Sequence, residues 1–128
     1  MYKRTVLLLL IILLITACAK NSTEVMDSPL IGNWNLTSMN AGGTAVNKNL
    51  YTGVPVKFLF SYNGSGTVWK EDYGKAAGSS DFTWNTSGTT LTIQPAGGAQ
   101  ATYTYSITGS QLTITAATGE QYFFVKQS

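Results

Sequence analysis

The chain has 128 residues, 44% of them hydrophobic and only 11% charged, with a formal net charge of +2, one cysteine and no histidine. That length fits a single domain, and so apolar and weakly charged a composition excludes a solvated, disordered chain. With no histidine and one thiol, Ser-His and Cys-His nucleophile pairs, an internal disulfide and the usual His/Cys metal sites are excluded as well.

The first element is a targeting segment. Lys3 and Arg4 precede Val6 to Ile15, ten apolar residues without a break. A cationic start followed by so short an apolar run has the form of a signal peptide, since a membrane-spanning helix needs about 17 to 25 residues. The run ends in Ile15-Thr16-Ala17-Cys18. This stretch resembles the lipobox of bacterial lipoproteins, where an aliphatic residue, two small or β-branched ones and a cysteine are read by a lipid transferase and a dedicated signal peptidase. The resemblance implies a signal peptide over residues 1–17, with Cys18 the acylated first residue of the mature protein and the membrane its first partner. A thioether-linked lipid also removes a thiol that would otherwise stand free in an oxidising compartment. Burial of acyl chain contributes about 0.8 kcal/mol per methylene, so several chains together form a lasting anchor. Ala19 replaces the Asp that holds enteric-type lipoproteins at the inner membrane, so the same resemblance implies the outer membrane and leaves its periplasmic or outer face open. Lys3 and Arg4 account for the whole positive excess, because the lysines and carboxylates after residue 17 balance. No basic stripe is left for nucleic acid.

Residues 18–29 are polar and aperiodic and read as a lipidated, flexible tether. The domain is expected over residues 30–128. There the chain is rich in Thr, Tyr, Phe, Val, Gly and Ser and alternates apolar and polar residues in short runs, the pattern of an all-β meander. Phe82, Trp84, Gly88, Leu91 and Ile93 recur 21 residues later as Tyr103, Tyr105, Gly109, Leu112 and Ile114, one hairpin written twice. A looser copy precedes them. Phe58, Phe60 and Tyr62 run into Asn63-Gly64, a dipeptide suited to tight hairpins, and Val68-Trp69 lead out of it. Asn33 to Met39 adds a strand at the start and Gln121 to Lys126 one at the end. Eight strands in an open sheet would expose two unpaired edges, so the expected architecture is an eight-stranded antiparallel meander closed into a small barrel. A two-sheet β-sandwich is the alternative.

Gly32-Asn33-Trp34 on the first strand, a long first loop, the hairpin meander and a closing Phe124-Val125-Lys126 are similar to the lipocalin-like lipoproteins of bacterial envelopes. Across residues 30 to 127 the resemblance implies a lipocalin-like barrel and a binding role. It casts Trp34 as the plug of the narrow end, with Lys126 packed over it where the family more often carries Arg. The chain departs from lipocalins in lacking the Thr-Asp-Tyr signature, the corresponding turn being Thr108-Gly109; Glu71-Asp72-Tyr73 lies in a different loop.

Inward-facing aromatic residues are the candidate site. Alternation from Trp34 places Phe58, Phe60, Tyr62, Trp69, Phe82, Trp84, Tyr103, Tyr105 and Phe124 on the interior, together with Leu91, Ile93, Leu112 and Ile114. Two readings stand open: a core packed by its own side chains, or a shallow aromatic pocket at a wet end, where the tyrosine hydroxyls find partners. The stretch from Met39 to Gly53 is too long for a hairpin turn and reads as a lid or as a loop with a short helix, from which Tyr51 closes over a ligand or staples the loop down. Neighbouring Glu71 and Asp72 point apart on a strand and do not form a facing acid/base pair. Ala41-Gly42-Gly43 and Ala96-Gly97-Gly98 read as turns, since neither opens a helix as a phosphate loop does. No cofactor or metal is expected. The function implied is a lipid-tethered, non-enzymatic binding module for a small hydrophobic or amphipathic molecule. The alternative is a protein-interaction module, an envelope inhibitor or assembly factor, that uses loops such as Glu71 to Ser80.

Overall fold

The computed structural model describes residues 28–127. The signal peptide expected over residues 1–17, Cys18 and the tether up to residue 27 lie outside the described residues. From Ser28 the chain turns at once into the domain. The Ile31 backbone N–H donates to the Ser28 carbonyl (3.2 Å), and Leu30 is fully buried.

Nine strands follow: β1 (Gly32–Ala41), β2 (Thr44–Val46), β3 (Val54–Phe60), β4 (Ser65–Asp72), β5 (Lys75–Ser87), β6 (Thr90–Pro95), β7 (Ala101–Thr108), β8 (Gln111–Thr115) and β9 (Gln121–Gln127). Each pairs antiparallel with its neighbour in the order β2-β1-β3-β4-β5-β6-β7-β8-β9, and β1 also pairs with β9. That last ladder runs from Asn33↔Gln127 to Asn40↔Gln121 and closes the sheet. Eight strands therefore form the barrel, and the sandwich alternative is ruled out. Closure gives the main-chain groups of β1 and β9 partners that an open sheet would leave bare.

The repeated hairpin is faithful in three dimensions. Trp84 lies opposite Ile93 and Thr86 opposite Leu91; 21 residues on, Tyr105 lies opposite Ile114 and Ile107 opposite Leu112. Gly88 and Gly109 turn the two copies with φ of 59° and 61°, a left-handed conformation that side chains with a Cβ disfavour.

The stretch from Met39 to Gly53 is more ordered than a long loop. β1 continues to Ala41, Gly42 and Gly43 turn it at φ of 60° and 80°, and β2 pairs back onto β1 as a ninth strand outside the barrel. A single turn of 3-10 helix, Lys48–Leu50, comes next, with the Asn47 side chain accepting from the Asn49 backbone N–H at 3.0 Å. This flap is tied to the tip of the β4–β5 hairpin by three contacts. Lys48 Nζ pairs with Glu71 Oε1 at 2.6 Å, the Gly53 N–H donates to Asp72 Oδ1 at 2.6 Å, and the Tyr73 N–H donates to the Tyr51 carbonyl at 2.8 Å.

An up-and-down meander sorts its turns between two ends. The turns after β3, β5 and β7, and Leu30, share one end; the flap, the β4–β5 tip and the loops after β6 and β8 share the other. The first end is solidly packed. Leu30, Trp34, Phe60, Leu91 and Leu112 all have 0% exposure there, and Trp34 Nε1–H donates to the Leu30 carbonyl at 2.8 Å. Lys126 Nζ sits 5.5 Å over the Trp34 ring, so its stem covers the indole while the ammonium faces the ring's negative face. Gly32 leaves room for that stem, since a Cβ at this position would lie 2.9 Å from Lys126 Cε.

Candidate functional site

The packing does not fill the second end. A cavity of about 230 Å³ opens there between the flap and the β4–β5 hairpin. Its floor is the aromatic trio Phe58, Phe82 and Phe124, and its walls include Val68, Ile93 and Ile114. The floor rings meet edge to face: Phe58 to Phe82 at 5.9 Å and 78°, Phe58 to Phe124 at 5.4 Å and 72°. Beneath them Phe60 stacks on Phe58 at 5.2 Å and meets Trp84 edge-on at 5.3 Å. Such pairs contribute about 0.5 to 1.5 kcal/mol each beyond their burial, which favours this arrangement of the floor. Gly66 makes this layer possible. A Cβ on it would lie 2.6 Å from the Leu59 carbonyl oxygen and would strike the Phe82 ring.

The rim is polar. Lys70, Ser80, Asp81, Tyr103 and Tyr122 contribute to it, with Gly53 and Pro55 at the base of the flap. A register shift between Pro55 and Lys57 bends β3 at this point, where proline lacks the N–H a regular ladder would use. Burial pushes the Tyr103 hydroxyl above its ordinary pKa. Tyr122 is raised by burial first, then by the negative charge of Glu120 and by Tyr103. Both phenols therefore stay protonated across the neutral range and present O–H donors to the mouth.

Of the aromatics expected to face inward, Phe58, Phe82, Tyr103 and Phe124 line this cavity, while Phe60 and Trp84 lie buried below its floor. Tyr105 is half-buried against the core away from the cavity. Two are placed elsewhere. Tyr62 is in the turn after β3, 62% exposed at the closed end. Trp69 is on the outer wall, because the β3–β4 register sets Phe60 opposite Gly66 and Phe58 opposite Val68, which sends Val68 inward and its neighbour Trp69 out. Lys57 is opposite Trp69 on that outer face, its Nζ 4.7 Å from the indole centroid. Tyr51 is on the flap, 39% exposed and outside the cavity lining; its carbonyl is one of the flap's ties. Sequence reasoning missed Lys70, Ser80 and Tyr122. Lys70 follows Val68 by two and Tyr122 precedes Phe124 by two, so period-two alternation from the correct register finds both.

A closed meander barrel, packed at one end and open at the other, has counterparts among known proteins. Residues 30–114 match the family described as Lipocalin-like domain. The chain belongs to that family. Among solved structures, a lipocalin-like protein from Bacteroides uniformis ATCC 8492 superposes with a TM-score of 0.59 at 18% identity, covering 78% of this chain and 100% of that one. An uncharacterized protein from Bacteroides eggerthii DSM 20697 superposes with a TM-score of 0.55 at 12% identity, covering 76% of this chain and 98% of that one. At these identities the likeness is one of fold. No curated protein matches the chain. Lipocalin-like barrels are typically binding folds without catalysis.

Proposed function

We propose that this lipocalin-like chain is a lipid-anchored lipoprotein of the bacterial outer membrane and a non-enzymatic binding module, taking a small hydrophobic or amphipathic molecule into the mouth of the barrel. The observation that carries this reading is the cavity of about 230 Å³ over an aromatic floor. Lys3, Arg4, the apolar run to Ile15 and the lipobox-like Ile15-Thr16-Ala17-Cys18 support the anchor. Native mass spectrometry of the protein released from its membranes tests the binding reading. A retained small molecule, displaced by hydrophobic dyes and lost on filling the cavity with Ile93→Trp, is the expected result; a bare protein that takes up no dye rejects it.

A second reading, a protein-interaction surface, is favoured by one feature. Leu50 and Tyr73 are 70% and 65% exposed, and with Tyr51 they cluster where the flap meets the β4–β5 tip. Exposed apolar groups gathered beside a mouth are suited to a protein partner in the envelope. In-cell crosslinking from position 73 gives one dominant protein adduct under this reading and none under the first.

A further inference from the structure

We propose that the mouth of the cavity is an anion subsite and that the ligand is a small organic carboxylate, its apolar part no larger than one ring or a short chain. This rests on the reading of the barrel as a binding module. The lining points to it. Of the four carboxylates among the described residues, three lie outside the lining, Glu71 paired with Lys48, Asp72 with the Gly53 N–H and Glu120 with the Thr118 hydroxyl, while Asp81 borders the cavity with its Oδ1 accepting from the Thr67 hydroxyl at 3.0 Å. The lysines divide differently. Lys48 is paired, Lys57 and Lys126 lie over indole rings on the outer wall and at the packed end, and Lys75 is exposed at the hairpin tip. Lys70 is the one lysine that lines the cavity, on the inward register of β4 two residues beyond Val68, and no carboxylate among the described residues is within ion-pair distance of it.

Across the mouth, three strands away in either direction around the barrel, stand Tyr103 on β7 and Tyr122 on β9. Neither hydroxyl has a hydrogen-bond partner among the described residues, and both stay protonated because burial raises their pKa. One ammonium facing two O–H donors across a gap above an apolar floor is the complement of a carboxylate with an apolar body. Glu120, beside Tyr122, disfavours an anion on its own side and shifts the head group toward Lys70. Volume sets the rest. An apolar cavity of about 150 Å³ accommodates benzene, and drug-sized ligands need roughly 300 to 1,000 Å³. The 230 Å³ here therefore admits a single ring or short chain and excludes a long acyl chain.

The test is calorimetric titration of the full chain in lipid nanodiscs, with empty nanodiscs as reference, using phenylacetate and hexanoate against the neutral 2-phenylethanol and hexanol. The carboxylates are expected to bind about tenfold more tightly than the alcohols, with the gap shrinking as salt rises. Lys70→Met is expected to remove the gap by weakening carboxylate binding, and Lys75→Gln to preserve it. Alcohols that bind as well as carboxylates, or a gap that survives Lys70→Met, overturn the anion subsite and leave the binding module standing. If neither class binds, both readings fall.

Discussion

At the scale of single residues, the cavity depends on side chains that are missing as much as on those present. Gly66 is on the inward register of β4, where any larger residue meets the Phe82 ring and the Leu59 carbonyl. Gly66→Ala is therefore expected to destabilise the barrel by about 1 to 3 kcal/mol, the usual scale for overpacking, as measured by urea unfolding. At the packed end, Trp34 has no exposure and its indole N–H is bonded to Leu30. Trp34→Ala is expected to cost about 3 to 5 kcal/mol by the same measurement, well beyond a surface change. The rim tyrosines give a pH dependence. Their pKa values are raised in the fold, so the stability linked to them is intact below their unfolded value near 10 and falls as pH climbs through the folded value. Unfolding titrations from pH 8 to 11 should show an alkaline loss that Tyr103→Phe makes shallower; an unchanged slope contradicts the burial of that hydroxyl.

At the scale of elements, the flap of β2 and the 3-10 helix is the least supported part of the structure, since it pairs only with the end of β1 and touches the β4–β5 tip through a few polar ties. The Lys48–Glu71 pair is partly exposed, at 40% and 25%, so solvent screening limits it to about 1 kcal/mol or less. Glu71→Gln is expected to leave global unfolding almost unchanged while speeding amide exchange across residues 44 to 53, because a flap with little apolar burial opens locally. Equal exchange in both proteins contradicts the latch. The repeated hairpin behaves oppositely. Its turn glycines and Leu-Thr-Ile strands are local signals that agree with the global fold, which is why its register was legible down to the residue. The β3–β4 hairpin was legible only in outline. Asn63-Gly64 marked the turn, but five residues separate Phe60 from Gly66, and a one-residue error in that count sends Trp69 to the wrong face.

At the scale of the whole molecule, closure decides what the barrel can do. The β1–β9 ladder turns a sheet with two edges into a container, and the packed end around Trp34 leaves one mouth. The proposed anchor makes a separate prediction: Cys18→Ala is expected to shift the protein from the membrane pellet to the soluble fraction after carbonate washing, and a variant still retained by membranes contradicts it.

The sequence by itself determined the all-β class, the hairpins, the eight strands of the barrel and most of the core, because period-two alternation and turn glycines are local properties of the chain. The proposed address rests on local residues too, those around Cys18. The tertiary structure decided which face of β4 looks inward, that the strand β2 precedes the short helix between Met39 and Gly53, and that Lys70, Tyr103 and Tyr122 meet around one mouth. Lys70 stands three strands from each tyrosine around the barrel, and only the curvature of a closed sheet brings them together.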